Sequence, residues 1–389
     1  MKKIIHNTSN SFKIEERREF IKGIIGLSVL STLSACSTLF TKSNSKNTSN
    51  RNNQNSLIKP PALKIGDTIG IVAPASGVND EEITAAKRIL EGLGFKVILG
   101  SYLTKSFGYL SAQDMQRADD FMTMIRNPTV KCVMAIRGGY GVMRILDLLD
   151  FDEIRRNPKI IIGYSDITAL VSAVYQKSNM VAFHGPVAYS NFDDFTLDSF
   201  KRVLMNQKPA GEFFESEEFK STTIFSESKA STIVGGKTSG KLVGGNLYLI
   251  TSLMGTPYEI DTKDKILFIE EVGEEPYRVD RMLTQLRLSG KLKQCAGIAL
   301  GRFIKCELTE VNEQYKMITS LEQVLKEELS KFNIPVVYGL SIGHIKSKLT
   351  IPIGVEAELN SFTKTLTIME QAVSWVYYLL NFRKLFVIT

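Results

Sequence analysis

Histidine is scarce in this chain, with only His6, His184 and His344 among 389 residues. Chemistry that needs an imidazole base therefore has few places to be. Cysteine is scarce too. Cys36, Cys132, Cys295 and Cys306 show no C-x-x-C spacing and no neighbouring histidine, which argues against a zinc site. Cys132 and Cys295 lie in apolar segments and read as core residues. No metal and no other cofactor is expected. An excess of one charge is missing from the body. The formal charge is +7, but it sits at the N-terminal end. In residues 1–35, Lys2, Lys3, Lys13, Arg17, Arg18 and Lys22 outnumber Glu15, Glu16 and Glu19 by three, and in residues 36–62 Lys42, Lys46, Arg51 and Lys59 add four with no acid. The remainder is neutral overall, so there is no nucleic-acid footprint. Gly23 to Ala35 is apolar but diluted by Gly and Ser, and it is too short for an ordinary transmembrane helix. What is present is 43% hydrophobic and 23% charged residues. That suffices for two domains with real cores.

The N-terminal 35 residues read as an export signal. Glu16-Arg17-Arg18-Glu19-Phe20-Ile21-Lys22 resembles the twin-arginine pattern, departing from it at Glu16, where Ser or Thr is usual. Leu33-Ser34-Ala35-Cys36 resembles a lipobox, in which small residues suit a signal peptidase and the Cys36 thiol takes the lipid. The competing readings are an uncleaved anchor or a cytosolic amphipathic tail. The expectation is export by the twin-arginine route and a lipid anchor in the cell envelope, on its periplasmic side or the cell surface. Residues 36–62 are rich in Ser, Thr, Asn and Lys and read as a flexible tether, closed by Pro60 and Pro61.

From Leu63 onwards, apolar strands alternate with helical patterns. Ile69–Ala73, Phe95–Leu99, Val130–Ile136, Ile160–Ile162 and Val181–Pro186 read as strands, and Glu81–Leu93, Ala112–Arg126 and Val142–Leu149 as helices. That alternation argues for an α/β fold with a doubly wound parallel sheet over residues 63–206. Ligands bind at the carboxyl ends of such strands, where the Pro74 loop, the Gly138-Gly139 loop and Ser165 all fall. Residues 207–235 are polar and poorly periodic and read as an interdomain connection. A second, smaller β-rich domain is expected over 236–373. The last stretch, 374–389, is oddly apolar, and composition does not say whether it packs on the body or lies at a membrane.

One stretch carries chemistry. In Ile160-Ile161-Ile162-Gly163-Tyr164-Ser165-Asp166-Ile167, a buried strand turns sharply into a helix. Gly163 is expected to permit the turn. A serine at such a corner is held off the strand, with helix N–H groups pointing at its oxygen, and is a candidate nucleophile. It also suits a plain helix N-cap. A hydroxyl nucleophile needs a base, and the base needs a carboxylate to orient it. His344, after Ser341-Ile342-Gly343, suits a side chain presented from a loop. Glu270 follows the apolar run Ile266–Ile269 and is expected to project from a sheet edge. His184 reads as a pocket or fold residue.

Nine short motifs then occur in order. They are Val72-Ala73-Pro74-Ala75-Ser76, Arg137-Gly138-Gly139-Tyr140-Gly141, Gly163-Tyr164-Ser165-Asp166-Ile167-Thr168, Phe183-His184-Gly185-Pro186, Gly244-Gly245-Asn246-Leu247, Gly255-Thr256-Pro257, Leu267-Phe268-Ile269-Glu270-Glu271, Tyr277-Arg278-Val279-Asp280-Arg281 and Gly343-His344. Together they resemble the LD-carboxypeptidases (muramoyl-tetrapeptide carboxypeptidases) and their relatives, the microcin C immunity hydrolases, over roughly Leu63 to Val373. The resemblance implies a metal-free serine peptidase with Ser165 as nucleophile, Glu270 as acid and His344 as base, often in a homodimer. It implies removal of the terminal D-Ala from peptidoglycan tetrapeptide stems, from a groove between the two domains that depends on how they close. The oxyanion would be held by backbone N–H groups of Asp166, Gly138 and Gly139. Asp166 is expected to be structural at the helix start. Arg137 either meets a substrate carboxylate or pairs within the protein. The alternatives are a microcin-immunity-type amide hydrolase of another peptide and a non-catalytic envelope-binding lipoprotein.

Overall fold

The computed structural model describes residues 56–219, 225, 228–307 and 320–374. The export signal, Cys36, most of the tether and residues 375–389 lie outside them. Among the described residues, no helix is long and apolar enough to cross a membrane. The described chain from Ser56 onwards belongs to one compact unit.

Two sheets organise it. The first contains β1 (Thr68–Val72), β2 (Lys96–Leu99), β3 (Val130–Ala135), β4 (Ile160–Gly163) and β5 (Ala182–His184), all parallel, in the order β5-β4-β3-β1-β2. The chain reverses its winding between β1 and β3, which opens a crevice at their carboxyl ends. All four residues of β4 are buried, and so are five of the six in β3. Both faces of these strands are therefore covered, as the aliphatic runs required. The helix after β1, Asp80–Gly92, starts where expected because Asn79 and Glu82 form a reciprocal capping box, with Glu82 N–H on Asn79 Oδ1 at 2.8 Å and Asn79 N–H on Glu82 Oε2 at 3.0 Å. Such a cap contributes about 1 kcal/mol. The helical segment expected over Val142–Leu149 is a 3-10 helix spanning Val142–Leu148.

The second sheet is mixed and has eight strands. At its centre β8 (Lys237–Asn246), β9 (Lys265–Val272), β10 (Gly297–Ile304) and β11 (Val336–Tyr338) run parallel. Antiparallel strands β13 (Glu356–Asn360), β14 (Thr365–Ile368) and β6 (Gly211–Phe213) extend one edge, and β7 (Ser231–Val234) closes the other.

The domain boundaries read from composition need correction in two places. The stretch 207–235 is no simple connection, because β6 and β7 lie in it and form opposite edges of the second sheet. Their three and four residues are too few to show a period. The C-terminal segment also returns to the first sheet, where β12 (Ile351–Ile353) pairs antiparallel with β5, Ile351 opposite His184. One hydrophobic core runs continuously from Ile69 and Phe183 in the first sheet to Phe268 and Val337 in the second.

Candidate active site

Ser165 stands on the corner between β4 and the helix Thr168–Ser178. Its φ is +64°, one of five positive values among the described non-glycine residues. A side chain held in the left-handed region costs on the order of 1–3 kcal/mol, and the surrounding packing has to impose it. That distinguishes Ser165 from an ordinary helix cap, which has extended backbone and accepts a hydrogen bond from the first turn; here it is Tyr164, with extended backbone, that takes the cap position. Gly163 serves the corner differently from expected. Its own φ is not positive. A Cβ there would stand 2.8 Å from Ile167 Cγ2, so it is close packing of strand on helix that requires glycine.

The Gly138-Gly139 loop after β3 lies directly against the nucleophile. A Cβ on Gly138 would fall 2.7 Å from Ser165 Cβ and 3.4 Å from Asp166 N. Gly139 has φ +122°, and a Cβ there would collide with Ser76 Oγ at 2.2 Å. The Ser76 hydroxyl accepts the Tyr140 N–H at 3.2 Å, which ties the loops of the crevice together. Two buried side chains hold this loop. Asp166 is buried and accepts the Val142 N–H at 2.8 Å. Its role is structural, as expected, but it anchors the glycine loop rather than its own helix. Burial raises its pKa to about 6 against the opposing N–H bonds. Arg117, almost fully buried, donates to the carbonyls of Gly141, at 2.9 Å, and Pro74.

The other half of the site comes from the second sheet. Glu270 does not project from an edge. It lies within β9, flanked by β8 and β10, and has no exposed surface. Its Oε2 stands 2.7 Å from His344 Nδ1. Burial pushes the Glu270 carboxyl up, but the His344 imidazole beside it outweighs this and the net shift is downward. Two backbone features allow the contact. The pairing of β10 with β9 slips between Leu300 and Phe303, opposite Glu270. There the Arg302 N–H donates to the Ile342 carbonyl at 2.9 Å and brings in the loop that carries His344. Gly343, with φ +117°, leaves only 2.7 Å between a hypothetical Cβ and Glu270 Oε2. His344 is partly exposed and packs edge-on against Tyr164 at 4.9 Å between centroids, next in the chain to Ser165.

The structure thus brings Ser165, Gly138, Gly139 and Asp166 into one corner and joins His344 to Glu270 beside it. Arg137, half-exposed, forms an ion pair with Glu82 at 3.5 Å. His184 is fully buried with neither ring nitrogen hydrogen-bonded, and desolvation lowers its pKa to about 4. Asn246 and Glu271 had no assigned role. Asn246 N–H donates to Thr168 Oγ1 at 3.1 Å and its Nδ2 to Glu271 Oε1 at 2.9 Å. A Cβ on Gly245 would strike Thr168 Cγ2 at 2.4 Å. The Gly-Gly-Asn motif therefore docks the second sheet onto the helix that follows the nucleophile. Only the glycine pair in the sequence hinted at this close approach.

A strained serine on a strand-to-helix corner, a glycine loop against it and a carboxylate-oriented histidine define a serine hydrolase. The comparisons narrow the class. Residues 69–185 match the LD-carboxypeptidase N-terminal domain and residues 239–359 its C-terminal domain. A probable murein peptide carboxypeptidase of Bacillus subtilis is 42% identical, over 80% of this chain and 94% of its own length. The solved structure of the microcin C7 self-immunity protein MccF in its wild-type apo state superposes with a TM-score of 0.72 at 28% identity, over 82% of this chain and all of that one. A muramoyltetrapeptide carboxypeptidase from Oxalobacter formigenes gives 0.66 at 30% identity, over 79% and 100%. The chain belongs to the LD-carboxypeptidase family and is a serine-type carboxypeptidase.

Proposed function

We propose that this enzyme removes the terminal D-Ala from the tetrapeptide stem of peptidoglycan, through an acyl-enzyme formed on Ser165. The contact between Glu270 and His344 at 2.7 Å, reached beside a serine at φ +64°, carries the reading. Glu270 fixes the His344 tautomer and stabilises the imidazolium. His344 takes the Ser165 proton as Oγ attacks the carbonyl carbon of the penultimate residue. The oxyanion is held by the backbone N–H groups of Asp166 and of the Gly138-Gly139 loop, where missing side chains allow close approach. His344 then protonates the departing D-Ala nitrogen, and water, deprotonated by the same imidazole, releases the shortened stem. Arg137, in an exposed pair with Glu82, stays available to a second carboxylate of the stem.

Purified wild type and Ser165→Ala are compared for D-Ala release from tetrapeptide muropeptide. Wild type releases it and the variant is slower by at least about four orders of magnitude. Equal release would overturn the mechanism. Release of nothing by wild type would favour the immunity-type hydrolysis of a different amide.

The proposal includes place. The twin-arginine pattern and the lipobox support export and lipidation at Cys36. Loss of palmitate label in Cys36→Ala is the expected result, and unchanged labelling would refute the anchor. The homodimer implied by the family resemblance completes the reading, with sedimentation of the purified body as its check.

A further inference from the structure

A buried ammonium without an ion-pair partner stands beside the catalytic corner. Lys348 is 5% exposed and lies on the same loop as His344. Its Nζ is 5.2 Å from the ring centroid of Tyr164, the ring against which His344 also packs. The hydrogen bond recorded for the ammonium is to the Lys346 carbonyl at 3.5 Å, at the outer limit for such a bond. No carboxylate among the described residues pairs with it. Asp193, Glu218 and Glu270 act on it only from longer range, and the first two are already bound by the Ser347 hydroxyl, at 2.7 and 2.9 Å. Burial therefore dominates and lowers the lysine pKa, with those three acids opposing. A cation removed from water and left unpaired is costly. The cost is offset when an anion arrives.

The catalytic cycle says where an anion must arrive. His344 protonates the leaving amine. In a carboxypeptidase that nitrogen is bonded to the Cα bearing the terminal carboxylate, whose carbon is about 2.5 Å from the nitrogen. The carboxylate is therefore delivered on the His344 side of Ser165, away from the oxyanion donors. Lys348 is on that side, since it shares Tyr164 with His344. Arg137 is on the loop of the oxyanion donors, next to Gly138. We propose that Lys348 Nζ receives the α-carboxylate of the substrate's C-terminal residue, and that this contact makes the enzyme an exopeptidase. The inference rests on the reading given under Proposed function.

The test uses the tetrapeptide stem and the same peptide ending in a carboxamide, with wild type, Lys348→Met and Lys348→Arg. Wild type is expected to prefer the free acid by about 100-fold in kcat/KM, the scale of one charged partner in a buried site. Lys348→Met should lose that preference, chiefly through KM on the acid, while its kcat/KM on the amide stays within about threefold of wild type. Lys348→Arg should recover part of the discrimination. An equal loss on both substrates by Lys348→Met, or undiminished preference for the acid, overturns the inference. Should the Met variant not fold, Lys348→Gln is read in the same way. A wild type silent on both peptides would overturn the underlying reading of the substrate instead.

Discussion

The two halves of the site are held by different forces. The nucleophile half is held by backbone: φ +64° at Ser165, φ +122° at Gly139, and a glycine at position 138 because nothing larger fits. Its parts sit on neighbouring strands of one parallel sheet. The acid–base half is held by charge. Glu270 is buried within a strand, and its partner arrives from a loop 74 residues further on. The contrast teaches that added volume is the damaging change at Gly138, whereas loss of charge is the damaging change at Glu270.

Substitutions that separate volume from charge sharpen the comparison. Glu270→Gln keeps volume and removes charge. It should cost about 10³–10⁴ in kcat, since a neutral amide holds the imidazole in the wrong tautomer and cannot stabilise its protonated form, while circular dichroism and melting show an intact fold. Retention of a tenth of the activity would break the distinction. Gly138→Ala adds one methyl and no charge. Its Cβ must displace Ser165, and a fall of about 10² in kcat with KM little changed is expected, because misplacing a reacting group by about 1 Å is that damaging. Normal activity would show that the loop yields.

The smallest effect concerns the carboxylate next door. Glu271 is as buried as Glu270 but has no histidine. Burial raises its pKa to about 7, reinforced by the Glu270 charge and opposed by N–H donors from Val272, Asn246 and Tyr248. A carboxyl raised above its unfolded value keeps its proton in the folded state while the unfolded chain has released it. Stability is then greatest below the unfolded pKa and declines as pH rises towards 7. Glu271→Gln should flatten that decline, as read from melting temperatures between pH 4.5 and 7.5. An unchanged slope would assign it to another group, Asp166 first, whose carboxyl is raised by burial to about 6.

How much of this was legible follows from the range of the forces. The triple-isoleucine strand, the corner and the glycine loop were readable because aliphatic runs, turns and missing side chains are local signals. Glu270 was found by its family motif but misplaced at an edge, because the apolar run stops at Ile269 whereas β9 runs on to Val272. The strands β6, β7 and β12 were missed for a related reason. Three or four residues have no period of their own, and their partners lie far away in the chain. Lys348 drew no attention, since a lysine in a loop usually points to water.

The amino-acid sequence by itself determined the alternation of strands and helices, the strand-to-helix corner at Ser165 and the family, because each depends on residues close together or on motifs in fixed order. Only the tertiary structure decided what Ser165 faces. The slip in β10, the glycine at 343 and the return of β12 to the first sheet set a buried carboxylate, a histidine and an unpaired lysine beside it. Burial then made an unpaired charge on the carboxylate or the lysine costly, since the cost of taking an ion from water depends on every element packed around it.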